Sequence, residues 1–73
     1  MKITHAIDFG KLIRATRKKA KLTQADLAAA SGVGNRFVRE LEKGKPSCQL
    51  EKSLLIASML GITFEALTPI IDE

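Results

Sequence analysis

The chain has 73 residues, enough for one small domain and close to the lower limit at which a core holds without a staple, so dimerisation is a reasonable source of further stability. A single cysteine, Cys48, excludes an intrachain disulfide and gives no sign of an oxidising compartment. The N-terminal MKITHAIDFGK lacks the apolar stretch of a secretion signal, and the longest strongly apolar run, Leu54 to Ala57, is far too short to cross a bilayer, so a soluble cytoplasmic protein is expected.

The net charge of +4 is more informative when divided along the chain. Residues 1–46 hold eleven Lys and Arg against four Asp and Glu, whereas residues 47–73 hold one Lys against four acids. A basic N-terminal part suits the phosphates of nucleic acid, which supply most non-specific affinity. A solvated charge run has the same composition, and a basic amphipathic helix also fits a membrane surface or a partner groove.

Residues 1–7 read as a flexible tail. His5 lies in it, and with no second histidine and one distant cysteine no metal site is expected. A first helix is predicted from Asp8 to Ala20, with Asp8 favoured near its N-terminus by the helix dipole and Phe9, Leu12, Ile13 and Thr16 as the inward stripe. Gly10 is a weak point in that helix, and Arg14, Lys18 and Lys21 are left towards solvent or phosphate.

From Thr23 to Gly44, TQADLAAASGVGNRFVRELEKG reads as two short helices joined by a glycine turn. Thr23 is an N-cap residue type, and Ala25, Leu27, Ala28 and Ala29 give the first helix a small-residue face. Ala28, four residues after Gln24, sits where bulk would stop the helices meeting at a steep angle. Gly32, eight residues after Gln24, supplies the positive φ of the turn, and Val33 pins that turn to the core. The second helix starts at Gly34, turns Val38 and Leu41 inward, and leaves Asn35, Arg36, Arg39 and Glu40 on the other face, where all four can address base edges. Such pairs also occur in bundles with no DNA partner. The combination of small residue, glycine turn and apolar set is nonetheless what holds a reading helix proud of the body.

Lys43-Gly44-Lys45-Pro46-Ser47 is a helix stop and turn, with Gly44 as a left-handed cap and Lys43 and Lys45 as phosphate candidates. A further helix is predicted over about 49–60, with Leu50, Leu54, Ala57 and Leu60 inward and Leu55 and Met59 forming a second apolar strip suited to a subunit or partner contact. In the tail, Ile62, Phe64 and Ala66 alternate with Thr63 and Glu65 as in a half-buried strand, while Phe64 to Leu67 also fit a short helical turn. An isolated strand needs a second copy to pair with across a twofold axis. The expected organisation is thus a tail (1–7), a helix-turn-helix DNA-binding domain (8–61) and a dimerisation strand or short helix with its tail (62–73).

Thr23 to Gly44 resembles the helix-turn-helix of the lambda repressor and Cro superfamily, also called the XRE family. From Phe9 to Leu67 the chain is similar to HipB-type antitoxins, on the strength of GNRFVRELEKGKP and of a strand-like LGITFEAL. The resemblance implies an all-α, four- to five-helix domain, with a C-terminal strand pairing across a dimer if the HipB likeness extends to the tail. It implies that Gln24 binds a phosphate, beside Thr23, Lys43 and Lys45, and that Asn35, Arg36 and Glu40 face bases; Arg39 is added on physical grounds. It also implies an ion pair between Arg17 and Glu42, which composition alone would not distinguish from a further phosphate contact. Phe37 departs from the superfamily's usual small polar residue, and Ser53 from its usual apolar one.

The implied function is a dimeric repressor of a palindromic double-stranded operator, held together by Leu55, Met59, Ile62 and Phe64. The HipB likeness adds a HipA-type kinase toxin as partner and repression of the protein's own toxin-antitoxin operon. A plain phage-type repressor and a helical protein-interaction module are the alternatives. No enzyme is expected, since no acid, base and nucleophile converge, and neither a cofactor nor a small-molecule ligand is implied. Three Phe without Tyr or Trp leave little for the base stacking of RNA recognition.

Overall fold

The computed structural model describes residues 1–69; residues 70–73 of the expected tail lie outside them. Four helices follow in order: α1 (Ala6–Lys19), α2 (Gln24–Ser31), α3 (Asn35–Glu42) and α4 (Leu50–Met59), with no strand among the described residues. The architecture is all-α, as expected. Helix α3 packs against α1 and α2, and α4 packs against α2, around a core of Ile13, Leu27, Ala28, Val38, Leu41, Ile56 and Ala57.

Helix α1 begins two residues before the expected Asp8, because Asp8 acts from the third helical position as a cap. Its Oδ2 accepts from the backbone N–H of Thr4 (3.1 Å) and of His5 (3.0 Å) and from the Thr4 hydroxyl (3.2 Å). These bonds, the Thr4 N–H first, hold its carboxyl below the usual value. Part of the segment read as a flexible tail is therefore the N-terminal cap of α1. Helix α2 opens on a reciprocal box, in which Asp26 N–H donates to Thr23 Oγ1 (3.0 Å) and Thr23 N–H to Asp26 Oδ2 (2.9 Å).

All four helices stop in the same way, on a residue of positive φ: Lys21, Gly32, Gly44 and Gly61. In each the following N–H reaches back to a carbonyl five residues earlier, as Val33 does to Ala28 (3.0 Å) and Ile62 to Ala57 (2.9 Å). Lys21 meets this demand without glycine, which is why no glycine marks the end of α1.

The inward stripe of α4 differs from the expected one. Ser53, Ile56 and Ala57 are buried with Leu60 partly covered, while Leu50 (69% exposed) and Leu54 face solvent beside Leu55 and Met59. Apolar residues lie on more than one side of this helix, so periodicity supports either stripe. Ser53 can be buried because its hydroxyl donates to the Gln49 carbonyl at 2.7 Å, which removes the cost of hiding a polar group. Cys48 and the tail residue Ile62 pack on the rim of the core. Beyond Ile62 the described residues form neither the expected strand nor a helical turn within the single chain. Phe64 instead stacks on Phe9 of α1, with ring centroids 5.5 Å apart.

Gly10 is a close-packing site, not the weak point expected of a helical glycine. It is buried where α1 crosses the end of α3, and a Cβ there would collide with the Leu41 carbonyl oxygen and lie 2.8 Å from that of Glu42.

The same crossing carries the ion pair between Arg17 and Glu42. Arg17 Nε donates to Glu42 Oε2 at 2.6 Å and Nη2 to Oε1 at 3.0 Å, a bidentate fork, while Nη1 donates to the Leu22 carbonyl at 2.8 Å. Gln24 Nε2, from the first turn of α2, donates to the same Oε1 at 3.0 Å. One carboxylate, its side chain 2% exposed, thereby joins α1, α2 and α3. Burial opposes its ionisation, but the hydrogen bonds from Arg17 and Gln24 and the charges of Arg17 and Arg14 outweigh it and hold the carboxyl low. The same hydrogen bond to Glu42 raises the Arg17 guanidinium.

Gly10→Ala is expected to lose about 1–3 kcal/mol through overpacking in spite of alanine's better helix propensity, read as a lower urea midpoint. Glu42→Gln or Arg17→Met alone is expected to cost about 3–5 kcal/mol by stranding the partner, while the double variant Arg17→Met/Glu42→Leu recovers much of that loss. Because the Glu42 carboxyl is depressed on folding, its contribution is complete above the unfolded value of 4.5 and disappears as pH falls through the lower folded value. Acid melts should therefore show a smaller drop in Tm for Glu42→Gln than for the wild type over that window.

Candidate nucleic-acid interface

Helix α3 presents the chemistry. Val38, Leu41 and Glu42 turn inward, which leaves Asn35, Arg36 and Arg39 exposed on the opposite side. Gly34 caps the helix without a side chain in the way, so Asn35 and Arg36 stand at its open end. That is the end a reading helix inserts between the phosphate backbones.

Glu40 occupies a different position from the other three. It is half-buried and held between two cations, with Arg36 Nε on Oε2 and Lys45 Nζ on Oε1, each at 3.1 Å. These bonds, the one from Lys45 first, hold its carboxyl below the usual value. Arg36, whose side chain is 79% exposed, can leave Glu40 for a base edge because the pair is open to water and weak. Glu40 is therefore a group that sets the posture of Arg36 and of the loop lysine Lys45.

Thr23 and Gln24 stand together at the start of α2. The Thr23 hydroxyl accepts from Asp26 N–H and retains its own proton for donation outward. Gln24 donates one amide N–H to Glu42, and the second N–H of that nitrogen is left for an outward acceptor. Lys43 and Lys45 are exposed on either side of Gly44. Gly44 has φ +85°, and a Cβ on it would come within 2.6 Å of Ile7 Cα, so the loop is pressed onto α1 and its lysines are placed.

Phe37 packs against the core from its rim with Lys52 Nζ 5.8 Å from the ring centre, so its place is between α3 and α4. The expected contact residues divide in the same way. Leu55 and Met59 are exposed on the outer face of α4, joined there by Leu54, whereas Ile62 fills the rim of its own core and Phe64 lies against its own Phe9.

Sequence reasoning missed the link from Gln24 to Glu42 and the sharing of Glu40 by Arg36 and Lys45. The first depends on a distance between helices that no spacing rule contains, whereas Arg36 and Glu40 stand at i,i+4 on α3, a spacing that the sequence offered and the reading did not use. It also passed over Lys11, which the fold places beside Arg14 on the flank of α3. No group of His, Cys, Asp and Glu among the described residues could hold a metal ion, and no helix among them is long and apolar enough to cross a membrane.

The sequence profile of the helix-turn-helix family matches residues 13–67, from the middle of α1 to the tail. An uncharacterized HTH-type transcriptional regulator of Sinorhizobium fredii, y4mF, is 44% identical over 62 residues, covering 85% of this chain and 82% of that protein. The matched span contains α2, its glycine turn and α3 together with the helices that brace them, and on these grounds the chain belongs to the helix-turn-helix family.

Proposed function

We propose that the protein is a sequence-specific DNA-binding transcriptional repressor that acts in the cytoplasm, with α3 laid in the major groove. The observation that carries this reading is the exposed row Asn35, Arg36 and Arg39 on a short helix whose inner face is locked to α1 and α2 through Glu42. A side chain can discriminate bases only if its helix is held in register, and the buried fork supplies that rigidity. Asn35 suits adenine, Arg36 and Arg39 suit the two acceptors of guanine, and Glu40 accepts from cytosine. Thr23, Gln24, Lys43 and Lys45 serve the phosphates.

A single copy reading one half-site has little specificity, so the functional unit is proposed to be a twofold dimer on an inverted repeat, with half-site centres about 34 Å, or multiples of that, apart. Leu54, Leu55 and Met59 support this reading, because they are exposed apolar side chains on one helix, α4. A role as the antitoxin of a HipA-type kinase, repressing its own operon, rests on the resemblance carried by GNRFVRELEKGKP. Co-purification with a kinase encoded beside it tests that role.

Arg36→Ala is expected to cost about 1–3 kcal/mol at one base position and relax discrimination there, whereas Lys45→Ala should weaken all sequences alike and reduce the salt slope by about one unit. Selection of binding sites from a random duplex library followed by anisotropy titrations measures both, and a uniform loss from both variants refutes the division. In sedimentation, the wild type is expected to be dimeric at micromolar concentration, and Leu55→Glu/Met59→Glu should sediment as a folded monomer without cooperative binding. A wild type that stays monomeric at high micromolar concentration and still binds one half-site tightly overturns the dimer.

A further inference from the structure

The two flanks of α3 are in opposite electrostatic states. On the side of the Lys45 loop, Arg36 and Lys45 share the carboxylate of Glu40, so two cations are offset by one acid. On the side of α1, a crevice of about 490 Å³ opens between α1, the first turn of α2 and the end of α3. Lys11 and Arg14 line it from α1, Arg39 and Lys43 from α3 and its cap, and Gln24 and Glu42 form its floor.

In this crevice the cations outnumber the acids. Glu42 is the acid in the lining, and both of its oxygens are taken by Arg17 and Gln24. Among the described residues Lys11, Arg14, Arg39 and Lys43 have no carboxylate within ion-pair distance. Four positive side chains converging on one concavity repel each other unless an anion lies among them. Two guanidinium forks and two ammonium points match an oxyanion carrying several acceptor oxygens, and their combined charge exceeds what a lone carboxylate offsets. The floor is fixed because Gln24 is bonded to Glu42 and Glu42 is held from behind by the bidentate fork of Arg17, so the floor does not need to be assembled when a ligand arrives.

We propose that this crevice is a phosphate site in which Lys11 and Arg14 of α1 act with Lys43 and with Arg39, whose five N–H donors serve the phosphate and the adjoining base edge together. The proposal rests on the DNA-binding reading for its preferred ligand, a backbone phosphodiester at the edge of the groove that α3 enters. A free oligophosphate offers the same chemistry, and the two sources are separable.

The test measures binding to a selected operator duplex and to a random duplex between about 50 and 200 mM salt. It compares wild type, Lys11→Ala, Arg14→Ala, their double variant, and Lys19→Ala, which removes a charge from the last turn of α1 outside the crevice. All are exposed positions, and thermal melts verify that each variant is folded. The slope of log K against log salt is expected to fall by about one unit for each of Lys11 and Arg14, equally on both duplexes, and to stay unchanged for Lys19→Ala. An equal fall for Lys19→Ala would assign the effect to general basicity and overturn the site. In parallel, tripolyphosphate is titrated against wild type and double variant, reading Tm and the Nε–H resonances of Arg14 and Arg39. A rise in Tm that the double variant loses, with salt slopes unaltered, identifies the free anion as the ligand. Unaltered slopes in a protein that does bind DNA, together with no response to tripolyphosphate, overturn the crevice. A wild type that binds no duplex defeats the DNA reading instead, and the tripolyphosphate titration then decides the site alone.

Discussion

The carboxylate of Glu42 is the point on which the arrangement of the helices depends. It sits at the end of α3, where α1 crosses with only a glycine between the backbones, and accepts from α1 through Arg17 and from α2 through Gln24. A buried charge is costly unless it is fully paired, and here the pairing is completed only when all three helices are in place. The interaction therefore acts as a test of correct assembly. Apolar residues at these positions could match its stability, but they would not fix the angle and register of α3 with a fork of defined direction.

From that fixed point the two faces of α3 acquire separate tasks. Its inner face supplies Val38 and Leu41 to a core of seven buried residues, and its outer face is polar and open. Electrostatics divides the outer face again. Glu40 restrains Arg36 and Lys45 on one flank through exposed, exchangeable pairs, while the other flank has no acid left to restrain it. A surface built in this way can hold one set of cations in posture until a partner displaces Glu40 and keep another set charged for immediate contact. Salt screens the exposed pairs strongly and the buried fork weakly.

The small size of the domain explains other choices. With so short a core, capping and turn geometry contribute a large share of the order, and each helix ends on a positive-φ residue followed by a bond back to the preceding turn. The apolar residues left outside on α4 are those that a domain of this size cannot enclose.

Much of this was legible in order along the chain, because the signals are local. Thr23, Gly32, Val33 and Gly44 mark the boundaries of α2 and α3 by cap and turn chemistry, and the inward spacing of Val38 and Leu41 determines which side of α3 is left for Asn35, Arg36 and Arg39. The pairing of Arg17 with Glu42 was available only through family resemblance, since 25 residues separate them and no periodicity links them. Tertiary structure alone decided the rest. Helix α4 carries apolar residues on more than one side, and only its packing on α2 selected Ser53, Ile56 and Ala57 over Leu50 and Leu54. Gly10 reads as a defect until the carbonyls of Leu41 and Glu42 are placed against it. The tail alternates like a strand, yet in the single chain Ile62 serves the core and Phe64 the ring of Phe9. Local patterns specify where a helix begins, ends and is amphipathic; which of two equivalent faces is buried, and which charges meet, depends on distances that exist only after the helices have packed.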